Sequence, residues 1–215
     1  MSLISYLFPR VIAQYSTNYN RDIRVLEEKG KYKLLVDGSR QSGEYILKLW
    51  QEALCTFGII PSPDIRSILL LGVGGGTLIH LLHALYPDAL ISGVDVDARM
   101  IDIGKKYFGL GKVGGLTLTV ADAKEFLLGA VAAKKQWDMV VVDLFVGAAI
   151  PAFVGEERFI CNLKLIMAPK GILLINYLHE REYRALAALL LCKLKKIFRS
   201  VRDCEVYNNR FFMVK

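Results

Sequence analysis

The sequence predicts an α/β fold: a mostly parallel, doubly wound sheet with a C-terminal antiparallel hairpin, preceded by a small N-terminal β-hairpin plus helix. Three observations predict it. Short apolar runs alternate with helical stretches from Ile68 onward. The first run, Ile68-Leu69-Leu70-Leu71, is continuous rather than alternating, as expected of a strand buried on both faces. That run leads straight into Gly72-Val73-Gly74-Gly75-Gly76 and then a helix.

In chain order, residues 23–26 and 32–36 read as two short strands around a turn at Lys29-Gly30, the second ending at Asp37-Gly38. Residues 44–57 carry Ile46, Leu47, Trp50 and Leu54 at helical spacing, and Pro61 and Pro63 close the segment. Residues 1–60 are therefore expected to form a small front end and residues 61–215 the main unit. After the glycine cluster come a helix over 77–86 and strands at 90–94, 116–120, 139–142 and 172–175, separated by helical stretches that include 98–107 and 123–128. The tail, 200–206, Tyr207-Asn208-Asn209 and 210–214, reads as an antiparallel hairpin closing the sheet edge.

With 215 residues and 53% hydrophobic content the chain buries a full core and is not disordered. No apolar run approaches the roughly 18 residues of a membrane span, and residues 1–10 show no signal-peptide pattern. Cys55, Cys161, Cys192 and Cys204 are scattered without a metal-type pair. They read as reduced, partly buried thiols of a cytoplasmic protein. Much of the net charge of +7 lies in Arg181, Arg184, Lys193, Lys195, Lys196, Arg199 and Arg202. A nucleic-acid patch is one reading. A solvated helix face suiting the negative end of a helix dipole is preferred, because no aromatic residues interleave as a stacking platform. His80 and His83 sit three apart without further ligands, so no metal is expected.

The glycine cluster lets a ligand approach the backbone at a helix N-terminus, although a tight strand-to-helix turn would need the same residues. Asp95 ends the second strand, 23 residues after Gly72, where a carboxylate can accept from ribose hydroxyls; Asp97 is the better cap for the following helix. Asp122, after the third strand, either reads an adenine amino group or caps the helix behind it. A nicotinamide-binding domain would share the glycines and Asp95. Thr77 in the sixth motif position, Asp122 and the antiparallel tail lean away from it.

Asp95-Val96-Asp97 through Lys105-Lys106-Tyr107-Phe108 resembles the corresponding stretch of spermidine synthases, the aminopropyltransferases of the class I methyltransferase fold. So do residues 118–127, Trp137-Asp138 to Asp143, Leu165 through Leu173, and the front end with Asp22-Ile23, Val36-Asp37-Gly38 and Gln41. The similarity spans nearly the whole chain and implies a Rossmann-like methyltransferase fold that binds S-adenosylmethionine or its decarboxylated form. By resemblance, Gly72, Gly74 and Gly76 surround the methionine part of the cofactor. Asp95 with Val96 holds the ribose, Asp122 and Ala123 the adenine, and Asp143 takes the place of the catalytic aspartate. Tyr45 and Gln41 fall on the substrate side. A homodimer through the front-end hairpin is a further implication.

The chain also departs from the family pattern. Gly75 stands where Gly-Gly-Gly-Asp-Gly-Gly carries its aspartate, Val146 where Asp-Ser-Ser-Asp-Pro has its second, Tyr45-Ile46 replaces a Tyr-His or Tyr-Gln pair, and Arg21 replaces a glutamine. Cationic polyamines need several carboxylates, because an unpaired ammonium in a partly dry pocket is costly. The expectation is therefore methyl transfer from S-adenosylmethionine to a small amine or hydroxyl acceptor, with Arg21 holding the cofactor carboxylate and Asp143 acting on the nucleophile. Aminopropyl transfer to a polyamine is the alternative, followed by a nucleic-acid methyltransferase or a catalytically silent nucleotide-binding domain.

Overall fold

The computed structural model describes residue 6 and residues 8–180 and 182–215. Most of the stretch 1–10 read for a targeting segment, and Arg181 of the basic run, lie outside the described residues.

The main sheet is built outward from β5 (Ser67–Leu71), whose apolar residues are fully buried. Its side chains divide with the two-residue period of a strand. Leu69 and Leu71 join a cluster formed with α4 (Ala123–Ala132), α5 (Glu157–Leu165) and α6 (Tyr183–Ile197). Ile68 and Leu70 face α1 (Glu44–Phe57) and α2 (Thr77–Leu85). The chain steps from β5 to β6 (Leu90–Asp95) and β7 (Leu116–Val120). It then returns to the other side for β8 (Trp137–Val142) and β9 (Met167–Leu178). β10 (Val201–Val206) and β11 (Asn209–Val214) complete the order β10-β11-β9-β8-β5-β6-β7, with β11 antiparallel to both neighbours. The reversal between β5 and β8 opens a crevice at the carboxyl ends of the strands, where such sheets bind ligands.

The front end is larger than the hairpin expected from its sequence. It is a four-stranded antiparallel sheet, β1 (Arg10–Tyr15), β2 (Ile23–Glu28), β3 (Lys31–Val36) and β4 (Ser39–Ser42), in that order. Only β2 and β3 bury residues on a regular alternation; β1 has no buried residue and β4 is polar, so neither carries a readable pattern. Ile23, Val25, Leu34 and Val36 pack on Met100 and Ile103 of α3 (Ala98–Tyr107), which sets the small sheet beside the crevice. α1 instead buries Leu49, Trp50, Ala53, Leu54 and Phe57 in the core of the main sheet. It ends at Gly58 in the left-handed conformation, whose N–H reaches the Cys55 carbonyl, before either proline.

Two other expectations change. Cys55, Cys161 and Cys192 are exposed on helix outer faces rather than partly buried; only Cys204 is partly so, and burial pushes its thiol up to about 11. The strand expected at 172–175 runs over twelve residues, because Met167 already pairs with Trp137 across an irregularity in the ladder. Two cations close helix ends: the Arg202 guanidinium donates to the Phe57 and Thr56 carbonyls at the end of α1, and Lys164 to the Ile197 carbonyl at the end of α6. No helix among the described residues is long and apolar enough to cross a membrane.

Candidate active site

Two adjoining cavities, of about 160 and 230 Å³, open at the carboxyl ends of the parallel strands and share Gln41, Asp143 and Phe145 as a common wall. The first is lined by Gly72, Gly74, Asp95, Val96, Met100, Asp122 and Ala123, with Tyr19 and Asn20 from the front end and Phe153 opposite. The second is lined by Arg40, Tyr45, Trp50, Asn176, Glu180, Asn208 and Asn209. Most residues expected at a site from sequence are thus gathered around one crevice. Two are not. Gly76 lines neither cavity and lies at the start of α2, where a Cβ would come within 2.3 Å of the Leu110 side chain. Arg21 is exposed at the bend before β2 and lines neither cavity. The neighbouring Asn20 is the residue drawn inward, because its amide donates to Asp97 Oδ2 (2.8 Å) and its Oδ1 accepts from the Gly147 N–H (3.2 Å).

Asp95 is positioned by the end of β6 and tied to the glycine loop. Its Oδ2 accepts from the N–H groups of Val73 (2.9 Å) and Gly74 (3.2 Å), and its Oδ1 from that of Asp97 (2.9 Å). Burial pushes its carboxyl above the usual range, against the pull of those three donors. A carboxylate offers about four acceptor positions, so about one remains for a hydroxyl in the cavity. Asp95→Ala is expected to cost about 2–4 kcal/mol of stability by stranding backbone donors, and to remove most of the melting-temperature rise given by S-adenosylhomocysteine. A thermal-shift titration showing a full ligand effect would take Asp95 out of the site. Asp122 caps α4, its Oδ1 accepting from the N–H groups of Lys124 and Glu125, while its exposed side chain also lines the first cavity.

Gly75 explains one departure in physical terms. Its N–H donates to Ser42 Oγ (2.8 Å), and a Cβ built on it would lie 2.7 Å from that oxygen and 3.2 Å from the Phe108 ring. A carboxylate has no room there unless Ser42 moves.

Asp143 stands at the end of β8 on the shared wall. Its Oδ1 accepts from the Asn176 amide (2.8 Å) and its Oδ2 from the Trp50 indole N–H (3.3 Å). Asn176 Oδ1 in turn accepts from the Asn209 amide (2.8 Å), and both asparagines are buried. Loss of water pushes the Asp143 carboxyl up to about 6, against the two hydrogen bonds that favour its ionised form. Such a group is mostly ionised at neutral pH yet basic enough to take a proton. Sequence reasoning missed Trp50, Asn176 and Asn209. Asn176 alone left a signal, as an amide set between the apolar run Ile172-Leu173-Leu174-Ile175 and Tyr177-Leu178. Among the described residues no cluster of His, Cys, Asp and Glu could hold a metal ion.

Strand order and crevice define a Rossmann-like domain of the class I methyltransferase fold. A family model described as spermine/spermidine synthase domain matches residues 47–210, and the chain belongs to that family. It is 26% identical over 119 residues to a polyamine aminopropyltransferase of Vibrio vulnificus, covering 55% of this chain and 40% of that protein. It is 28% identical over 120 residues to a human eEF1A lysine and N-terminal methyltransferase, covering 51% of this chain and 17% of the other. The chain thus spans less than half the length of either relative. A spermidine synthase solved with the transition-state analogue AdoDATO superposes with a TM-score of 0.76 at 15% identity, over 95% of this chain and 73% of that one, and shares the fold.

Proposed function

We propose that this chain is a transferase that binds S-adenosylmethionine in the first cavity and methylates an amine held in the second. The observation that carries this reading is Asp143, a desolvated carboxylate on the wall common to both cavities. The residues of the first cavity suit the nucleoside: a carboxylate at Asp95 with an acceptor position remaining, apolar surfaces at Val96, Met100 and Ala123, and a polar rim at Asp122. When bound, the cofactor supplies an electrophilic carbon on a sulfonium. Asp143 takes the proton from the acceptor amine and holds its nitrogen in line. Asn176 and Trp50 fix the carboxylate so that no reorganisation is needed.

The choice of cofactor rests on the glycine loop. Ser42 and Phe108 fill the place of the family's amine-gripping aspartate, and Val146 replaces the second acidic residue. α2 begins at Gly76 without a side-chain cap, which leaves the positive end of its dipole close to the loop. That setting favours a tail bearing a carboxylate over one bearing only an ammonium. Side-by-side calorimetry should show S-adenosylmethionine binding at least as tightly as its decarboxylated form. Arg21→Gln should leave both affinities unchanged, since Arg21 lines neither cavity. A tenfold or greater preference for the decarboxylated cofactor, with spermidine formed from putrescine, would overturn methyl transfer. It would establish instead the alternative, aminopropyl transfer, the activity in the name of the Vibrio vulnificus relative.

A further inference from the structure

The second cavity carries three charged side chains, and their signs describe an acceptor. Asp143 sits at its base, Glu180 follows β9, and Arg40 projects from β4. The Arg40 guanidinium lies 4.8 Å from the centroid of the Tyr45 ring, which is itself stacked on Tyr207 at 5.5 Å. Stacking takes up the face of a guanidinium and leaves its edge, with its forked N–H donors, directed at other partners. Glu180 accepts one hydrogen bond, from the Asn208 amide at 3.0 Å. Arg40 and Glu180 line one cavity, yet no ion pair joins them, and neither has one elsewhere among the described residues.

Two carboxylates and one guanidinium are complementary to two ammonium groups and one carboxylate. A simple diamine matches Asp143 and Glu180 but brings two positive charges towards Arg40 and leaves that cation without an anion. Resting on the reading of Asp143 as the acceptor-side base, we infer that the acceptor is a free basic amino acid. Its terminal amine meets Asp143, its α-carboxylate the edge of Arg40, and its α-ammonium Glu180. The α-carboxylate is the feature that separates such a molecule from its decarboxylated diamine, and Arg40 reads it.

The test is calorimetric titration of L-ornithine and L-lysine, each beside its diamine, putrescine and cadaverine, with and without saturating S-adenosylhomocysteine. Each amino acid is expected to bind about tenfold or more tightly than its diamine, the range of one arginine–carboxylate contact. Arg40→Gln should weaken the amino acids by that factor and leave the diamines level or improved; Glu180→Gln should weaken the amino acids as well. Diamines binding as tightly as amino acids, an Arg40→Gln variant of unchanged amino-acid affinity, or binding of none of the four at millimolar concentration would overturn the assignment. The two readings fail separately. Absence of S-adenosylhomocysteine binding alongside an intact amino-acid preference removes the proposed cofactor and keeps the acceptor class. Tight S-adenosylhomocysteine binding with diamines preferred does the reverse.

Discussion

Asp143→Asn is expected to lower kcat/KM for transfer by about 10²–10⁴-fold, the usual contribution of a positioned general base. Affinity for S-adenosylhomocysteine should change little, because the residues facing the nucleoside lie elsewhere around the first cavity. The wild-type rate should rise with pH up to about 6 and then level off, because the carboxylate must be ionised to accept the proton. Stability gives an independent check. The folded-state value is raised from 3.8 to about 6, so the folded protein holds the proton more tightly than the unfolded chain. The resulting penalty is absent below about pH 4, grows between about 4 and 6, and reaches roughly 3 kcal/mol above that range. Asparagine carries no such penalty, but its amide must face one of the two donors, Trp50 or Asn176, a cost that does not vary with pH. Denaturant unfolding at several pH values should therefore show the stability of Asp143→Asn relative to wild type improving by about 3 kcal/mol from pH 4 to 8. A flat difference would mean that the carboxylate is well hydrated, and the case for a tuned base would fall with it.

Gly72→Ala should be the most damaging small substitution in the protein. Gly72 has a φ of +94°, and a Cβ there would lie 2.0 Å from the Asp143 carbonyl oxygen and 2.7 Å from its carbon. Both contacts are with backbone at the point where β5 and β8 separate, so no side chain can swing clear. Left-handed strain and overpacking together suggest a loss of about 3–5 kcal/mol, on the order of 10 °C in Tm. Gly111→Ala is the control, since a Cβ there meets nothing within 4 Å and its φ is unstrained. A Gly72→Ala protein melting within a few degrees of Gly111→Ala would show that the two strand ends are not locked together. If it folds at all, its activity should also suffer, because the displaced backbone carries the Asp143 carboxylate.

The main sheet was legible because β5 is apolar at every position that packs, and such a run fits only between two layers of helices. The glycine turn, Asp95, Asp122 and Asp143 were legible because each ends a readable strand. β1 and β4 were not, since a peripheral strand held by backbone pairing carries no obligatory side-chain pattern. Arg21 shows the same limit at a single residue. Adjacent positions in an irregular segment have no fixed facing, and two long-range hydrogen bonds chose Asn20 to turn inward.

The sequence by itself determined the strand-to-helix alternation, the family, and the carboxylates at the strand ends, all of which depend on local patterning and short spacing. Only the tertiary structure decided that Trp50, Asn176 and Asn209 surround Asp143, that Ser42 fills the space beside Gly75, and that Arg40 and Glu180 share a cavity. Those partners lie tens to more than a hundred residues apart, and the packing of sheets and helices, which no local pattern encodes, brings them together.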